Sequence, residues 1–222
     1  MHGILLKVNG PEFEAVASEG HRLSMFKTNS TTGGYTGLPH VDALNAVLPV
    51  LPKTGRRECS TVGRYLRFEW DSGSALVRCL AIEYPKYERV IPDPGDAVLK
   101  VAFDRRALLD AVNQIRPFAR EADAKDLLTV RYNDRGNDNG DFRISASTAD
   151  QGDVAATIQV LNQDRRPQKD IEWGLNGFYI AQILGAMPCE TVTFESGVDG
   201  LRPVVFADPN ADHRVVLMPV KV

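Results

Sequence analysis

Short runs of β-branched and aromatic residues, bounded by Gly, Asn, Asp or Pro, recur along the whole chain. Such runs are typical of antiparallel strands that are joined by tight turns. The first two, Gly3–Val8 and Glu12–Ser18, flank Asn9-Gly10, a dipeptide that favours the positive φ angles of a two-residue hairpin turn. The pattern predicts a chain that begins with a hairpin and contains more sheet than helix. The other predicted strands are Leu23–Lys27, Cys59–Val62, Tyr65–Trp70, Ala75–Ala81, Ala97–Phe103, Leu127–Asn133, Phe142–Ser147, Val154–Val160, Thr191–Glu195, Pro203–Ala207 and Arg214–Pro219.

Three segments have helical spacing instead. Apolar residues recur at three- and four-residue steps in His40–Leu51 and in Asp104–Phe118, which predicts two amphipathic helices. A third helix, capped by Asn176 and extending through Met187, is apolar nearly all round, so we expect it to be buried. Each helix is followed by several strands, which suggests duplicated helix-plus-sheet units. The fold class expected is α+β, with antiparallel sheets and short helices.

The length of 222 residues exceeds the usual ~100–150 residues of one domain. The segment Glu83–Ala97 contains three prolines and shows no clear period, as is typical of an extended connector. We therefore place a boundary there and predict two domains, residues 1–92 and 93–222.

Composition and motif spacing exclude several function classes. No stretch approaches the ~20 apolar residues of a membrane-spanning helix, and the first residues lack the pattern of a signal peptide, so we expect a cytoplasmic protein. The cysteines Cys59, Cys79 and Cys189 lie far apart, which favours buried thiols over disulfides or a metal site. A net charge of −3 restricts any attraction for DNA to local basic patches.

Signatures of catalysis are also absent from the sequence. It contains no phosphate-binding loop, GxGxxG, GxSxG or HExxH motif, and its four histidines lack metal-ligand spacing. The acidic stretch Asn133–Asp141 lacks the glycine and glutamate of a calcium loop, so a solvated turn at Asn139-Gly140 is expected. We expect no metal, no cofactor and no catalytic residue.

Two stretches are ambiguous on physical grounds. Gly20–Leu23 forms a predicted turn from which Leu23 enters an apolar run, and the chain closes on the apolar segment Arg214–Val222. An apolar terminus either packs into the core or lines a surface groove. Physical reasoning alone favours the core and leaves the groove open.

Both stretches also resemble parts of a known family. GILLKVNGPEFEAVASEGHRLSM is similar to a hairpin that leads into Ala-Thr-Asp-Gly-His-Arg-Leu, and EYPKYERVIP is similar to the linker Phe-Pro-Asp-Tyr-Arg-Arg-Val-Leu-Pro. VVLMPVKV is similar to a closing Met-Pro-Met-Arg-Leu, and DFRISASTADQGDVAATIQV and WGLNGFYIAQILGAM lend support between them. In this order the motifs resemble the bacterial beta sliding clamp, the beta subunit of DNA polymerase III.

The resemblance implies a DNA-clamp fold. Subunits of that family have three similar domains and pair head to tail into a ring, with helices facing the DNA and sheets forming the outer wall. This chain resembles the middle and C-terminal domains only, beginning after the first strand and helix of the middle domain. The resemblance therefore implies that residues 1–92 are a middle-type domain and residues 93–222 are a C-terminal-type domain.

The resemblance also implies two sets of site residues. A groove for partner peptides would be lined by residues of the turn, the linker and the last strands: Ser18, Gly20, His21, Arg22, Leu23, Pro85, Arg89, Val90, Leu201, Pro203, Val216, Leu217, Met218, Pro219 and Val220. A DNA-facing set would come from the second helix: Arg105, Arg106, Gln114, Arg116 and Arg120. An ordinary solvated helix face is an equal alternative for the second set.

The function implied is that of a non-catalytic processivity factor in DNA replication. It would tether DNA polymerase and repair proteins to double-stranded DNA through clamp-binding peptides, depend on a clamp loader, and bind DNA weakly and without sequence specificity. Two domains per chain would close a six-domain ring as a trimer, a homo-oligomer. The alternative is a module that binds clamp-binding peptides without encircling DNA, and an enzyme is a third interpretation for which no residues can be nominated.

Overall fold

The computed structural model describes residues 3–30, 34–122, 126–133, 140–148 and 152–221. The predicted turn at Asn139-Gly140 lies partly outside these ranges. The chain divides into two compact units: the first unit is Met1–Tyr87 with Ala211–His213, and the second unit is Glu88–Asn210 with Arg214–Val222. No helix among the described residues is long and apolar enough to cross a membrane.

The described residues of the first unit form two antiparallel sheets and one short helix. The elements are β1 (Leu5–Asn9), β2 (Glu12–Ser18), β3 (Arg22–Asn29), β4 (Tyr35–Gly37), α1 (Val41–Val47), β5 (Arg57–Val62), β6 (Tyr65–Trp70) and β7 (Gly73–Arg78). In the first sheet the strands lie in the order β4-β1-β2-β3, and in the second they lie in the order β5-β6-β7. Gly10 has a φ of 59°, as the predicted β1–β2 hairpin turn requires.

Helix α1 is shorter than the sequence predicted. It is capped by the imidazole of His40, whose Nδ1 accepts a hydrogen bond from Asp42 N at 3.2 Å. The helical spacing continues to Leu51, but the α-helix ends at Val47 and a 3-10 turn, Leu48–Val50, follows. Pro49 explains the early end, because proline has no N–H to donate to the carbonyl oxygen four residues before it and its ring crowds that carbonyl.

The described residues of the second unit also form two antiparallel sheets, with two α-helices. The elements are β8 (Leu99–Asp104), α2 (Arg105–Ala122), β9 (Leu127–Asn133), β10 (Asp141–Thr148), β11 (Gly152–Ile158), β12 (Asn162–Arg165), β13 (Ile171–Asn176), α3 (Gly177–Ala186), β14 (Thr191–Ser196), β15 (Val204–Ala207) and β16 (His213–Leu217). One sheet has the order β12-β8-β14-β15-β16 and the other β11-β10-β9-β13. Turns of 3-10 helix occur at Tyr87–Val90 and Pro94–Asp96.

An aromatic cluster fills the core of the second unit. Phe194 contacts three rings at centroid distances of 5.2–5.4 Å with near-perpendicular planes, a favourable edge-to-face geometry. The buried side of α2 packs against this unit's core, as the helical stripe predicted. The partners of Phe194 are Phe142, Trp173 and Phe206.

Helix α3 begins as predicted, because Asn176 Oδ1 accepts a hydrogen bond from Tyr179 N at 2.9 Å. Ile183 and Leu184 are buried, but Phe178 is 42% exposed, so the expectation that the helix is buried is wrong at that residue. The α+β fold class is confirmed, since antiparallel sheets with short helices make up the described residues of both units. Strands β4, β12 and β13 were not predicted.

Candidate functional site

A cavity of about 340 Å³ lies in the second unit and opens to solvent. We call it the linker pocket, because the proline-rich linker forms one wall. Two of its apolar lining side chains are exposed, Val90 at 47% and Met218 at 41%. The lining residues are Arg89, Val90, Ile91, Pro92, Asp93, Asp96, Ala97, Glu195, Ser196, Gly197, Arg202, Pro203, Val205 and Met218.

The linker wall is anchored by a single side chain from β12. Nη1 of Arg165 donates to the carbonyl oxygens of Pro94, Gly95 and Ala97 at 2.8, 2.9 and 2.8 Å. Asp93 closes the same turn, since its Oδ1 accepts a hydrogen bond from Gly95 N at 2.7 Å. The wall is therefore held in one backbone conformation although it is proline-rich and largely exposed.

A second wall is formed by the end of β14. Glu195 is buried and accepts a hydrogen bond from Arg214 Nη2 at 2.8 Å, and Lys100 Nζ lies 3.9 Å from its other oxygen. Val98 N donates to Ser196 O at 2.9 Å and ties the end of the linker to this strand. A buried carboxylate needs such partners, so Glu195 is a fixed and neutralised part of the wall.

The third wall comes from the end of the chain. The strand β16 pairs with β15, with Leu217 opposite Val204, and both side chains are buried. Beyond Leu217, Val220 N donates to Gly174 O at 2.8 Å, so the backbone is held on both sides of Met218. The exposed Met218 side chain is thus presented from a fixed backbone.

The structure divides the predicted groove residues of the second unit into two groups. Arg89, Val90, Pro203 and Met218 line the linker pocket together. Leu201 is 71% exposed but is not part of the lining. The remaining members, Val216, Leu217, Pro219 and Val220, lie outside the lining as well, and the first two are buried in the unit's core.

The predicted groove residues of the first unit form the hairpin between β2 and β3. Gly20 has a φ of 95°, which favours glycine, and Glu19 N donates to Arg22 O at 3.2 Å. Arg22 Nε lies 2.6 Å from Glu19 Oε1, and Leu23 is buried. Ser18 Oγ also donates to Arg22 O, whereas His21 and, on the linker, Pro85 are exposed. That these residues share a groove with the linker pocket remains a prediction.

The predicted DNA-facing residues on α2 have different environments. Arg105 donates from Nε to Cys189 O at 2.5 Å and from Nη1 to Leu184 O at 2.8 Å. Arg116 lies over the Phe178 ring, 5.3 Å from its centroid, and its Nη2 lies 3.4 Å from Asp126 Oδ2. The exposed members of the set are Arg106, Gln114 and Arg120.

The sequence did not reveal six of the pocket residues that carry its chemistry. The resemblance nominated Arg89 and Val90 of the connector, but the proline-rich residues that follow them indicated only an extended segment and were not predicted to line the groove. Glu195 is the last residue of one predicted strand, and Arg202 directly precedes another. Charged residues are common at such positions on exposed faces of sheets, so neither residue was nominated for the groove. The missed residues are Ile91, Pro92, Asp93, Asp96, Glu195 and Arg202.

The arrangement is suited to binding rather than to bond making. An open, mainly apolar slot with a few fixed polar groups can accept an apolar side chain and orient the chain that carries it. Within the described ranges, no three His, Cys, Asp or Glu side chains are grouped so that they could hold a metal ion. The pocket thus offers a bound chain an apolar surface and several charged side chains.

No family model matches the chain. The beta sliding clamp of Pseudomonas aeruginosa is 25% identical over 231 aligned positions, which cover 100% of this chain and 58% of that relative. The beta sliding clamp of Pseudomonas putida is 22% identical, with the same coverage of both proteins. The chain therefore spans about 58% of the length of the curated relatives that it matches.

Solved structures give the same picture of the fold. The DNA polymerase III beta chain of Streptococcus pneumoniae superposes with a TM-score of 0.86 at 20% identity, over 100% of this chain and 57% of that one. A sliding clamp from Pseudomonas aeruginosa bound to griselimycin also gives 0.86, at 22% identity and the same coverage. The sliding clamp of Bacillus subtilis gives 0.86 at 17% identity, again over 100% and 57% of the two chains. The chain is related to the bacterial beta sliding clamps along its whole length and has the DNA-clamp fold that they share.

Proposed function

We propose that the chain acts in DNA replication as a sliding-clamp-type processivity factor, whose linker pocket binds short peptides of DNA polymerase and repair proteins. The observation that carries this proposal is the pocket itself, an apolar slot whose exposed Val90 and Met218 are presented from anchored backbone. In this account residues 1–92 form a middle-type clamp domain and residues 93–222 a C-terminal-type one. The role is non-catalytic.

The energetics favour a peptide with large apolar anchors. Burying a Leu or Phe side chain contributes about 1.5–3 kcal/mol, and methionine adapts its shape to different anchors. The backbone on both sides of Met218 is already ordered, so binding does not have to order it. A peptide of the form Gln-Leu-x-Leu-Phe has anchors of the right type.

Peptide binding is tested by polar substitutions in the pocket. The variants Met218→Ser and Val90→Ser should each weaken binding of a fluorescent Gln-Leu-x-Leu-Phe peptide about 5- to 30-fold, which corresponds to about 1–2 kcal/mol of lost apolar contact. Leu161→Ser is the matched control, because Leu161 is 52% exposed and lies outside the pocket lining. Equal affinities for the pocket variants and the control would remove the proposal.

We propose further that the exposed polar face of α2 is directed at double-stranded DNA. Arg106, Gln114 and Arg120 are exposed there, and a sliding protein needs only weak, delocalised attraction to phosphates. The double variant Arg106→Gln/Arg120→Gln should bind DNA more weakly, with a salt dependence lower by about two counterions. An unchanged dependence of DNA affinity on salt concentration would show that these two arginines do not contact the DNA.

Ring assembly and use of a clamp loader belong to the same proposal. A closed ring predicts a stable oligomer in sedimentation, with three copies if two units per copy complete a ring of six. A persistent monomer that still binds the peptide would favour the alternative, a peptide-binding module that does not encircle DNA.

A further inference from the structure

We infer that copies of this chain join through two free sheet edges, with β7 of one copy pairing antiparallel with β11 of the next. The inference rests on the ring assembly of the proposed function and names the surfaces that join the copies. It is carried by the regularity of the two edges and by a register in which both their faces and their charges match.

The strands β7 and β11 each lie at the end of a sheet. Among the described residues, β7 pairs only with β6 and β11 only with β10, in both cases without a bulge. Cys79 N, directly after β7, donates to Arg64 O at 2.9 Å on the β6 side. Because backbone groups alternate sides along a strand, Arg78, Leu76 and Ser74 direct their N–H and C=O groups to the free edge. These groups are available to a further strand.

Other edge strands carry features that discourage pairing with another chain. The strand β5 is largely exposed and begins with Arg57 and Glu58, and β12 is polar and shifts register after Gln163. Charges and bulges of this kind protect an edge. In contrast, β7 and β11 have six and seven residues, one charge each and no proline, and Leu76 on β7 is 60% exposed. A regular edge with an exposed leucine favours addition of a strand.

The charges of the two strands select one register. Arg78 is the charged residue of β7 and Asp153 is that of β11. Both are exposed, and neither side chain forms an ion pair within the described part of the chain. An antiparallel pairing that places Arg78 opposite Asp153 pairs all six residues of β7 with residues 153–158. Opposite charges in facing positions stabilise a sheet and fix its register.

The same register also matches the two faces of the strands. It places Val77, which is buried, opposite the half-buried Val154, and the exposed Leu76 opposite the exposed Ala155. Inward residues of one strand therefore meet inward residues of the other, so the pairing extends both faces of the sheets. A shift by one residue would place inward residues opposite outward ones, and a shift by two would separate the charges.

The residues around the pair leave its charges uncompensated. Directly beside it lie the uncharged Tyr65 on β6 and Ser147 on β10. Further along β6, Arg67 is paired with Glu69 at 2.9 Å, and Arg143 lies four residues from Ser147 on β10. The contact is heterologous, since it uses different surfaces of the two copies, so a series of such contacts ends when it closes into a ring.

Charge reversal at the edges tests the pairing, with self-association of the full chain measured by sedimentation velocity over a range of concentrations. Arg78→Glu places a carboxylate opposite Asp153, and Asp153→Lys places an ammonium opposite Arg78. Each variant should raise the dissociation constant roughly three- to tenfold. Lys53→Glu and Asp110→Lys are the matched controls, because they make the same charge changes at exposed positions outside both strands and should leave the constant unchanged.

The double variant Arg78→Glu/Asp153→Lys restores opposite charges at every contact between copies. We expect its dissociation constant to return to within about twofold of the wild-type value. A single variant that had merely misfolded would not be rescued by the second substitution.

Cysteine cross-linking reports the register directly. Opposite residues of antiparallel strands have Cα atoms about 4.5–5.5 Å apart, which is within the range of a disulfide. On mild oxidation, a mixture of Leu76→Cys and Ala155→Cys copies should give a covalent dimer on a non-reducing gel. Val62→Cys is the matched control, because Val62 is exposed on the same face of this sheet but lies on β5, so it should not cross-link to Ala155→Cys.

The failures of the two proposals are distinguishable. An oligomer whose dissociation constant is the same in the wild type and both charge-reversal variants, or one without the Leu76–Ala155 cross-link, overturns the edge pairing and leaves ring assembly standing. A wild-type chain that stays monomeric at all concentrations overturns both.

Discussion

Arg105, the first residue of α2, holds the end of α3 in place. Its guanidinium donates to Cys189 O at 2.5 Å and to Leu184 O at 2.8 Å, two carbonyls at and just beyond the C-terminal end of α3. We predict that Arg105→Ala destabilises the second unit. Arg106→Ala is the matched control, because Arg106 is the next residue on the same helix and is exposed.

The expected cost follows from these contacts. A hydrogen bond to a charged group contributes about 1.5–3 kcal/mol, and a cation near a helix C-terminus adds about 0.3–1 kcal/mol. Arg105 is only half-buried, and water replaces part of the lost bonding, so we expect a loss of about 2–4 kcal/mol in the free energy of unfolding. Arg106→Ala should change it by less than about 0.5 kcal/mol.

Urea unfolding followed by tryptophan fluorescence measures the difference. Trp173 is fully buried in the second unit and reports on it, and Trp70→Phe removes the signal from the other tryptophan. With a slope of roughly 2 kcal/mol per molar urea, the Arg105→Ala midpoint should fall by about 1–2 M. Midpoints that agree for the two variants would refute the packing function of Arg105 and favour its predicted contact with DNA.

Three further predictions concern other parts of the molecule. Tyr87→Phe should destabilise the first unit by about 1–2 kcal/mol in urea unfolding, because the buried Tyr87 hydroxyl donates to Glu14 Oε2 at 2.7 Å; an unchanged midpoint would contradict this. Gly200→Ala should lower the free energy of unfolding by more than about 2 kcal/mol, since a Cβ there would lie 1.7 Å from Glu172 O. Near-native stability would show that the loop around Gly200 shifts to make room for the added methyl group. Burial raises the pKa of the Cys189 thiol, so at pH 7.5 it should react slowly with a disulfide reagent until urea unfolds the second unit.

Sequence patterns predicted most strands and all three helices because their residues follow the period of the element. They failed where an element is short or lies at the edge of a sheet. The strand β12 (Asn162–Arg165) is entirely polar and lies at an edge, so no apolar alternation marks it. In β13, Gly174 interrupts the alternation, although the strand is mostly buried. The apolar spacing of α1 continues to Leu51, but Pro49 cannot donate a backbone hydrogen bond, so the α-helix ends before it.

The candidate site was predictable where residues resemble a family motif and not where tertiary contacts build it. Val90 and Met218 were nominated from such motifs and lie on one pocket. The pairing of Glu195 with Arg214 joins residues on different strands, and Arg165 anchors a turn about 70 positions earlier in the chain. Nothing in the local sequence indicates either contact. For the same reason the packing of Arg105 could not be distinguished from an exposed basic face.

The most direct test of the account is a methyl NMR titration of the chain labelled at its four methionines. Met218 is 41% exposed at the linker pocket, whereas Met25 and Met187 are buried at 7% and 2% and serve as internal controls. Adding the Gln-Leu-Gln-Leu-Phe peptide should shift the Met218 methyl resonance in proportion to bound peptide and leave Met187 in place. A Met218 resonance that stays fixed while the peptide binds would contradict the assignment of the linker pocket as the binding site.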